Sequence, residues 1–228
     1  MYDGCLSIIG GTGALGLGLA QRALRHGIEV CIGSRSPERA SAIADELRAI
    51  IPGARVSGRT NVEAAAKGNI VAVTVPFASQ IETLREIKPA VYGKIVIDTT
   101  VPLMPPKVAR VQLPPEDSAA VRAQAELGAE VRVVSALHTA AAAHLGSMAD
   151  ASTLGDVLVF GDDKASREAV VALFLGMGVS ALHGGPLANS TAAEAMTSVL
   201  IFMNKAYGAG HAGLRITGIP SQSTGGAS

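Results

Sequence analysis

The sequence has few of the residue types that mark a specialised fold or partner. It contains no tryptophan, aromatic residues make up 3%, and 19 Lys and Arg residues balance 19 Asp and Glu residues, so the formal net charge is zero. A neutral chain lacks the basic surface by which proteins bind nucleic acids or anionic membranes. We therefore expect a small molecule or another protein chain, and no nucleic acid, as the partner.

Cysteines and long apolar runs are equally scarce. The two cysteines, Cys5 and Cys31, are too few for a disulfide framework and show no metal-ligand spacing. We predict no metal site and interpret both as buried thiols on neighbouring strands. No apolar run reaches the roughly 18 to 20 residues of a membrane-spanning helix, and no basic leader precedes the first apolar run. The sequence therefore predicts a cytoplasmic protein without a membrane partner.

The chain is rich in short apolar runs. Hydrophobic residues make up 48% of its 228 residues, and Val- and Ile-rich runs alternate with helical patterns. Runs of this kind are typical of strands that are covered on both faces of a parallel sheet. We predict an α/β fold, a Rossmann-type doubly wound parallel sheet. The predicted strands are 5–9, 29–32, 55–57, 70–75, 94–98, 131–137, 156–160 and 179–182.

Residues 1–140 are predicted to form the dinucleotide-binding domain and residues 141–219 a small C-terminal α/β lobe. The proline-rich segment 101–117 cannot form a regular element. In the lobe, 188–207 shows a helical pattern that is apolar on nearly every side and needs cover on nearly every side. We predict a homodimer through this helix; a core helix in a monomer is the alternative. Residues 220–228 are expected to be disordered.

Two polar residues are predicted to start helices after the second and third strands. Ser36 precedes Pro37, which favours an N-cap followed by proline at the first helical position. Asn61 is the predicted N-cap of the next helix.

The first strand leads directly into a glycine-rich segment. Gly11, Gly13 and Gly16 form G-x-G-x-x-G between a predicted strand and a predicted helix, the context that makes this motif informative. Gly11 permits the tight turn, Gly13 lets the backbone approach a pyrophosphate, and Gly16 lets the helix pack on the strand. Free N–H groups at the helix start attract the anion. The predicted dinucleotide-binding residues here are Gly11, Thr12, Gly13, Ala14, Leu15 and Gly16.

The end of the second strand indicates which dinucleotide binds. NAD-binding sheets usually carry Asp or Glu there to accept a hydrogen bond from the ribose 2′-hydroxyl. This chain instead has Ser34, Arg35 and, one helical turn later, Arg39. A hydroxyl and two guanidinium groups can bind a 2′-phosphate that a carboxylate would repel. We therefore predict NADP(H); an ordinary solvated helix start is the alternative.

Two further segments are expected to reach the same edge of the sheet, because ligands of doubly wound sheets lie beyond the carboxyl ends of the strands. Val75 and Pro76 follow the fourth strand and are predicted to pass the nicotinamide ribose. Ser135 and Ala136 lie at the end of the sixth strand and are predicted cofactor-binding residues.

His138 follows the sixth strand and is the candidate catalytic residue. Its imidazole can donate a hydrogen bond to a ring carbonyl or supply a proton; a purely structural histidine is the alternative. Asn189 and Ser190 precede the apolar helix and are predicted to reach the same cleft, with helix capping as the alternative. The sequence has no Tyr-x-x-x-Lys pair. Hydride transfer between two ring cofactors needs little acid–base help, which fits a cleft with few titratable groups.

With these residues, the chain resembles the NADPH-dependent F420 reductases, the F420-dependent NADP oxidoreductase family. The resemblance extends from Leu6 to about Ile216. It depends on six motifs that occur in order: GGTGALG, GSRSPERA, TVPF, VVSALHT, GDD and GPLANS.

This resemblance implies hydride transfer between NADPH and coenzyme F420, an 8-hydroxy-5-deazaflavin, by an enzyme that is usually dimeric. It implies that Thr12, Ser34, Arg35 and Arg39 belong to the NADP pocket. It places His138, Asn189 and Ser190 on the deazaflavin side. Alternatives remain open: reduction of an imine, ketone, flavin or ferric chelate by NADPH, or NADP(H) sensing without catalysis.

Overall fold

The sheet that the sequence predicts is present in the computed structural model, which describes residues 2–147 and 154–219. Eight strands in these ranges form one sheet in the order β3-β2-β1-β4-β5-β6-β7-β8. The strands are β1 Cys5–Ile9, β2 Glu29–Ser34, β3 Val56–Thr60, β4 Ile70–Val73, β5 Ile95–Asp98, β6 Arg132–Ser135, β7 Val157–Phe160 and β8 Ala181–Gly185. The predicted α/β, Rossmann-type fold is thereby confirmed.

Eight α-helices in the described ranges connect and flank these strands. They are α1 Ala14–Arg25, α2 Pro37–Ile50, α3 Asn61–Lys67, α4 Gln80–Ile87, α5 Ala119–Leu127, α6 Ala142–Gly146, α7 Lys164–Gly176 and α8 Ser190–Tyr207. No helix among the described residues is both long and apolar enough to cross a membrane.

Helices cover both faces of the sheet, as nearly continuous apolar strands require. One core contains side chains from β1 together with α1, α2, α6 and α7, including Leu19, Leu47 and Phe174. The other contains side chains from α3, α4 and α5, including Leu84 and Leu127. Cys5 and Cys31 are buried free thiols on the neighbouring strands β1 and β2, as predicted.

The last two strands join the sheet in a different way from the first six. β1 to β6 are parallel, whereas β7 is antiparallel to β6 and pairs with it only at Ser135 and Phe160, the final residue of each strand. Antiparallel strands that pair only at their carboxyl ends extend away from each other. β7, and β8 beside it, therefore lie beyond the carboxyl edge of the first six strands. A division at residue 140 stays a prediction.

Three local expectations have different outcomes. Residues 101–117 form no helix or strand, as their prolines predict. The prediction that Asn61 caps α3 is wrong: Thr60 is the N-cap, because its hydroxyl accepts from Glu63 N while Glu63 bonds back to Thr60. The predicted disordered tail, 220–228, lies outside the described residues.

Candidate functional site

A crevice lies at the carboxyl edge of the sheet, where the strand order changes direction between β1 and β4. This switch point is where doubly wound sheets bind ligands. The crevice has a volume of about 360 Å³. Its lining includes Gly10 and seven of the predicted site residues, namely Thr12, Gly13, Ser34, Arg35, Arg39, Val75 and Pro76.

The glycine loop is shaped by close packing as well as by backbone conformation. Gly10 has a φ of +75°, and the N–H groups of Gly10 and Gly11 both donate to the Gly33 carbonyl. A Cβ on Gly16 would lie 2.6 Å from the Gly11 Cα, so α1 reaches β1 only with glycine there. A Cβ on Gly13 would meet nothing closer than the Gly10 carbonyl at 3.4 Å. Glycine at position 13 therefore keeps the crevice open, whereas glycine at position 16 is required for the packing of the fold.

The first turn of α1 has backbone N–H groups that no side chain caps. Its N-cap is Gly13, and no acidic residue lies in its first turn. By contrast, Ser36, Thr60, Ser118 and Asp163 cap α2, α3, α5 and α7 with side-chain oxygens. Uncapped N–H groups at the positive end of a helix bind anions. This end of α1 is therefore suited to a pyrophosphate.

Three side chains at the end of β2 can bind a second anion. The Ser34 oxygen accepts from Ser36 N at 3.2 Å, which leaves its O–H free to donate. Arg35 and Arg39 line the crevice and are exposed, and their guanidinium groups have no hydrogen-bond or ion-pair partner among the described residues. Two available guanidinium groups beside one hydroxyl form a site for a phosphate monoester.

Sequence reasoning missed the wall of the crevice opposite β2. Glu82 and Glu86 lie four residues apart on α4 and line it, together with Asn61 and Thr83. The Asn61 amide donates to Glu86 Oε2 at 3.1 Å. The i,i+4 spacing of the two glutamates was a usable signal, because such residues share one helix face. These groups can accept hydrogen bonds from a ribose or a base.

A second cavity of about 410 Å³ adjoins the glycine loop. Its lining is mostly small or apolar and comes from the segment after β6, from α8 and from the segment that follows α8. The lining residues are Ala14, His138, Thr139, Ala140, Ala141, Ala142, Ala143, Thr197, Leu200, Ile201, Asn204, His211 and Ala212. Gly13 lines the crevice and Ala14 lines this cavity, so the two spaces meet at the start of α1.

His138 enters this cavity from the end of β6. Leu137 before it has a φ of +69°, and the His138 side chain is only 5% exposed. Its Nε2 lies 2.7 Å from the Ser135 Oγ, and Thr197 Oγ1 donates to the His138 carbonyl at 2.8 Å. Burial lowers the pKa of His138 to about 4. The ring is therefore neutral at pH 7, where it can donate or accept a hydrogen bond.

Seven of the predicted site residues line neither space. Ser135 and Ala136 are fully buried, and Ser135 contacts the site only through His138. Asn189 lies in a separate apolar groove and donates to the Gly184 carbonyl at 3.0 Å. Ser190 is fully buried and bonds to Ser118 and Glu194. Of the other loop residues, Gly11 and Gly16 form the turn, and Leu15 packs on the core.

The different surroundings of Gly13 and Gly16 generate a prediction. Gly13→Ala keeps an allowed backbone (φ −85°, ψ 167°) and should change the unfolding free energy by less than about 1 kcal/mol. Its methyl group would occupy the anion's approach, so dinucleotide affinity should fall about tenfold or more, roughly 1.4 kcal/mol. Gly16→Ala should instead cost about 1 to 3 kcal/mol of stability. Urea unfolding gives the stability of each variant, and ligand titration gives its affinity for the dinucleotide. Equal losses of stability in Gly13→Ala and Gly16→Ala would contradict these two roles.

Comparison with known proteins identifies a family model and several relatives of this chain. The family model described as "NADP oxidoreductase coenzyme F420-dependent" matches residues 6–102. The F420-dependent NADP reductase of Methanothermobacter thermautotrophicus is 37% identical, over 95% of this chain and 96% of that protein. The reductase of the same name from Methanocaldococcus jannaschii is 34% identical, over 94% and 98% respectively.

Solved structures agree in fold. A crystal structure from Arthrobacter sp. FB24, a candidate F420-dependent NADP-reductase, has a TM-score of 0.81 at 25% identity and covers 94% of this chain and 99% of its own. The Streptomyces aurantiacus imine reductase has a TM-score of 0.60 at 19% identity, over 90% and 63%, which shows a similar fold only. Identity above 30% along nearly the whole length of two curated relatives establishes that the chain belongs to the F420-dependent NADP reductase family.

Proposed function

We propose that this chain is an oxidoreductase that transfers a hydride between NADP(H) and coenzyme F420. The observation that carries the proposal is the junction of two spaces at the start of α1. One space has the polar groups for a phosphorylated dinucleotide, and the other is an uncharged cavity with a neutral histidine. Membership of the F420-dependent NADP reductase family supports the identity of both substrates.

The crevice fits NADP(H). The uncapped N–H groups of α1 would hold the pyrophosphate, and Arg35, Arg39 and Ser34 would hold the 2′-phosphate. Val75 and Pro76 would lie along the nicotinamide half, since they line the crevice beside the glycine loop. The open space at Gly13, where a Cβ would meet only the Gly10 carbonyl at 3.4 Å, is what close approach of a diphosphate requires.

The second cavity fits the flat deazaflavin ring. Ala140 to Ala143 and the side chains of Leu200 and Ile201 give it apolar walls, and Asn204 and Thr139 add hydrogen-bonding groups. When bound, the two ring systems supply the hydride donor and the hydride acceptor. The residues of the chain position the rings and exclude water.

His138 is the proposed catalytic residue. A ring with a pKa of about 4 stays neutral in the physiological range, so it acts by hydrogen bonding to the acceptor and not as a cation. Ser135 fixes the orientation of the imidazole through the Oγ–Nε2 contact of 2.7 Å. In this proposal Ser135 acts on the substrate only through His138.

The acceptor is tested by following NADPH oxidation with F420, FMN, ferric chelates and a cyclic imine. We expect turnover with F420 at least a hundred times faster, in kcat/KM, than with any other acceptor; this ratio corresponds to about 2.7 kcal/mol. Faster turnover with another acceptor would replace F420 in the proposal. Tight NADPH binding without oxidation by any acceptor would indicate a sensor.

Cofactor selectivity is tested with Arg35→Ala. The wild type should bind NADPH more than tenfold more tightly than NADH, a difference of over about 1.4 kcal/mol. Arg35→Ala should weaken the affinity for NADPH at least tenfold and change the affinity for NADH less than threefold, because only NADPH has the 2′-phosphate. Arg48→Ala is the control and should change neither affinity: Arg48 lies on α2, the helix that starts two residues after Arg35, and pairs with Asp45 on the surface. Calorimetric titration with NADPH and NADH gives two affinities for each of the three proteins.

His138 is tested with His138→Ala. The variant should lose about tenfold or more in kcat with F420, within the range for one positioned hydrogen-bonding group. The ratio of wild-type to variant kcat should be constant from pH 6 to 8, since the ring does not titrate there. Exposed His183 provides the control, His183→Ala. A variant that folds by circular dichroism and keeps kcat within twofold would assign His138 to structure.

We also propose a homodimer formed through α8. Most surface helices place apolar residues inward and polar residues outward, but α8 buries three polar residues and exposes large apolar ones. Ser190, Glu194 and Ser198 are buried, whereas Val199 and Phe202 are 40% and 59% exposed. In the alternative, a monomer with α8 as a core helix, the same chain would cover these side chains; their exposure supports the dimer proposal. A groove beside α8, lined by apolar residues of β7, α8 and the segment after α8, extends the same surface.

We also propose a cytoplasmic location. The free thiols Cys5 and Cys31 support it, because thiols stay reduced in that compartment.

The dimer is tested by light scattering at micromolar concentration. The wild type should have twice the chain mass, and Phe202→Glu should shift it to the monomer because a charge would be buried at the interface. Tyr92→Glu, at an aromatic residue that is 71% exposed away from α8, is the control and should stay dimeric. A monomeric wild type would refute the interface.

A further inference from the structure

A buried carboxylate joins α8 to the N-terminus of α5. Glu194 is 1% exposed although it lies in the middle of the apolar helix pattern. Its oxygens accept from Ser118 Oγ at 2.8 Å, Ala119 N at 2.7 Å, Ala120 N at 3.2 Å and Ser190 Oγ at 3.2 Å. All four partners are neutral, so no basic residue compensates this group among these contacts.

Glu194 completes the cap of a helix to which it does not belong. Ser118, the N-cap of α5, accepts from Ala120 N and Val121 N, and the Glu194 carboxylate binds Ala119 N and Ala120 N of the same turn. A negative group at a helix N-terminus interacts favourably with the helix dipole. The contact thus fixes one turn of α8 against one turn of α5.

Burial of the Glu194 carboxyl group has a desolvation cost that an apolar contact would not have. Burial raises the pKa of Glu194, and the hydrogen bonds from Ala119, Ser118, Ala120 and Ser190 oppose that rise. Replacing buried charges by apolar groups is often neutral or stabilising, so a buried carboxylate is weak evidence for stability. What it does provide is a single defined geometry, because four donors must point at two oxygens.

The geometry it defines is that of the second cavity. Thr197 is three residues after Glu194 on the same face of α8, donates to the His138 carbonyl at 2.8 Å, and lines the cavity. Ile201 and Asn204 continue the same wall along that face. Glu194 itself lines neither the cavity nor the crevice.

We propose that Glu194 is a positioning residue for the acceptor: by fixing α8 to α5, it sets the position of the cavity wall that contains Thr197 and of the His138 backbone. The proposal rests on the proposed function, since it assigns the second cavity to F420. Residues of the nucleotide crevice come from elements other than α5 and α8, so we expect the affinity for NADPH to be independent of Glu194.

The test is Glu194→Gln, in which an NH₂ group replaces an oxygen that now faces backbone N–H donors. We expect the KM for F420 to rise at least fivefold while the Kd for NADPH stays within twofold, measured well below the melting temperature. The matched control is Asp163→Asn, which alters the carboxylate cap of α7 outside both spaces. It should lower the melting temperature but leave the F420 KM within twofold.

Amide hydrogen exchange separates this inference from the proposed function. Glu194→Gln should speed exchange in 190–201 and 138–143 and leave 11–17 unchanged, whether or not F420 is the acceptor. If Glu194→Gln does not fold, Ser118→Ala, which removes one donor and keeps the carboxylate, should shift both readouts in the same direction.

Some outcomes would overturn the proposal. One is a folded Glu194→Gln with an F420 KM within twofold of wild type and unchanged exchange at 138–143. Another is a rise in the NADPH Kd as large as the rise in the F420 KM, which would make Glu194 a general scaffold residue. If the wild type does not use F420, the proposed function is wrong. The hydrogen-exchange result would then still decide whether Glu194 positions the cavity wall.

Discussion

The contact between α1 and β1 at Gly16 is the constraint on which the rest of the site depends. With only 2.6 Å from a Gly16 Cβ position to the Gly11 Cα, no other residue lets the helix begin so close to the strand. That start places the uncapped N–H groups of α1 at the switch point of the sheet. It also puts Gly13 and Ala14 on two sides of one turn, so that the polar crevice and the apolar cavity share a boundary.

The second cavity is completed by elements from late in the chain. β7 meets β6 only through Ser135 and Phe160, so the two last strands stand beyond the carboxyl edge of the others. The Phe160 ring consequently lies 6.2 Å from the His138 ring. α8 then closes the side through Thr197 and Glu194. Parallel-sheet geometry provides the crevice at the switch point, whereas the second cavity is lined mainly by α8 and by the segments after β6 and after α8.

The sequence was sufficient where the determining interactions are local. Strands such as Cys5–Ile9 and the turn at Gly11, Gly13 and Gly16 could be predicted, because periodicity and glycine spacing act within a few residues. The capping box of Thr60 and Glu63 was also local and was missed, because Asn61 beside it is an equally good cap by residue type.

The parts that could not be predicted depend on contacts distant in sequence. Nothing near Ser190 shows that its hydroxyl faces Ser118, 72 residues earlier, instead of a ligand. Glu194 resembles a solvent-facing interruption of an apolar helix until α5 is placed against it. The spacing of Glu82 and Glu86 places them on one helix face, but their position at the crevice depends on α4 lying against α3, where Asn61 bonds to Glu86.

The buried polar residues of α8 change how hydrophobicity should guide protein engineering on this scaffold. Hydropathy-based redesign replaces apolar surface residues by charges and enlarges apolar residues that face inward. On α8 three of the five buried residues, Ser190, Glu194 and Ser198, are polar. A design program that fills this face with leucines would therefore remove the interactions that locate the helix, even if the predicted burial of apolar area increased.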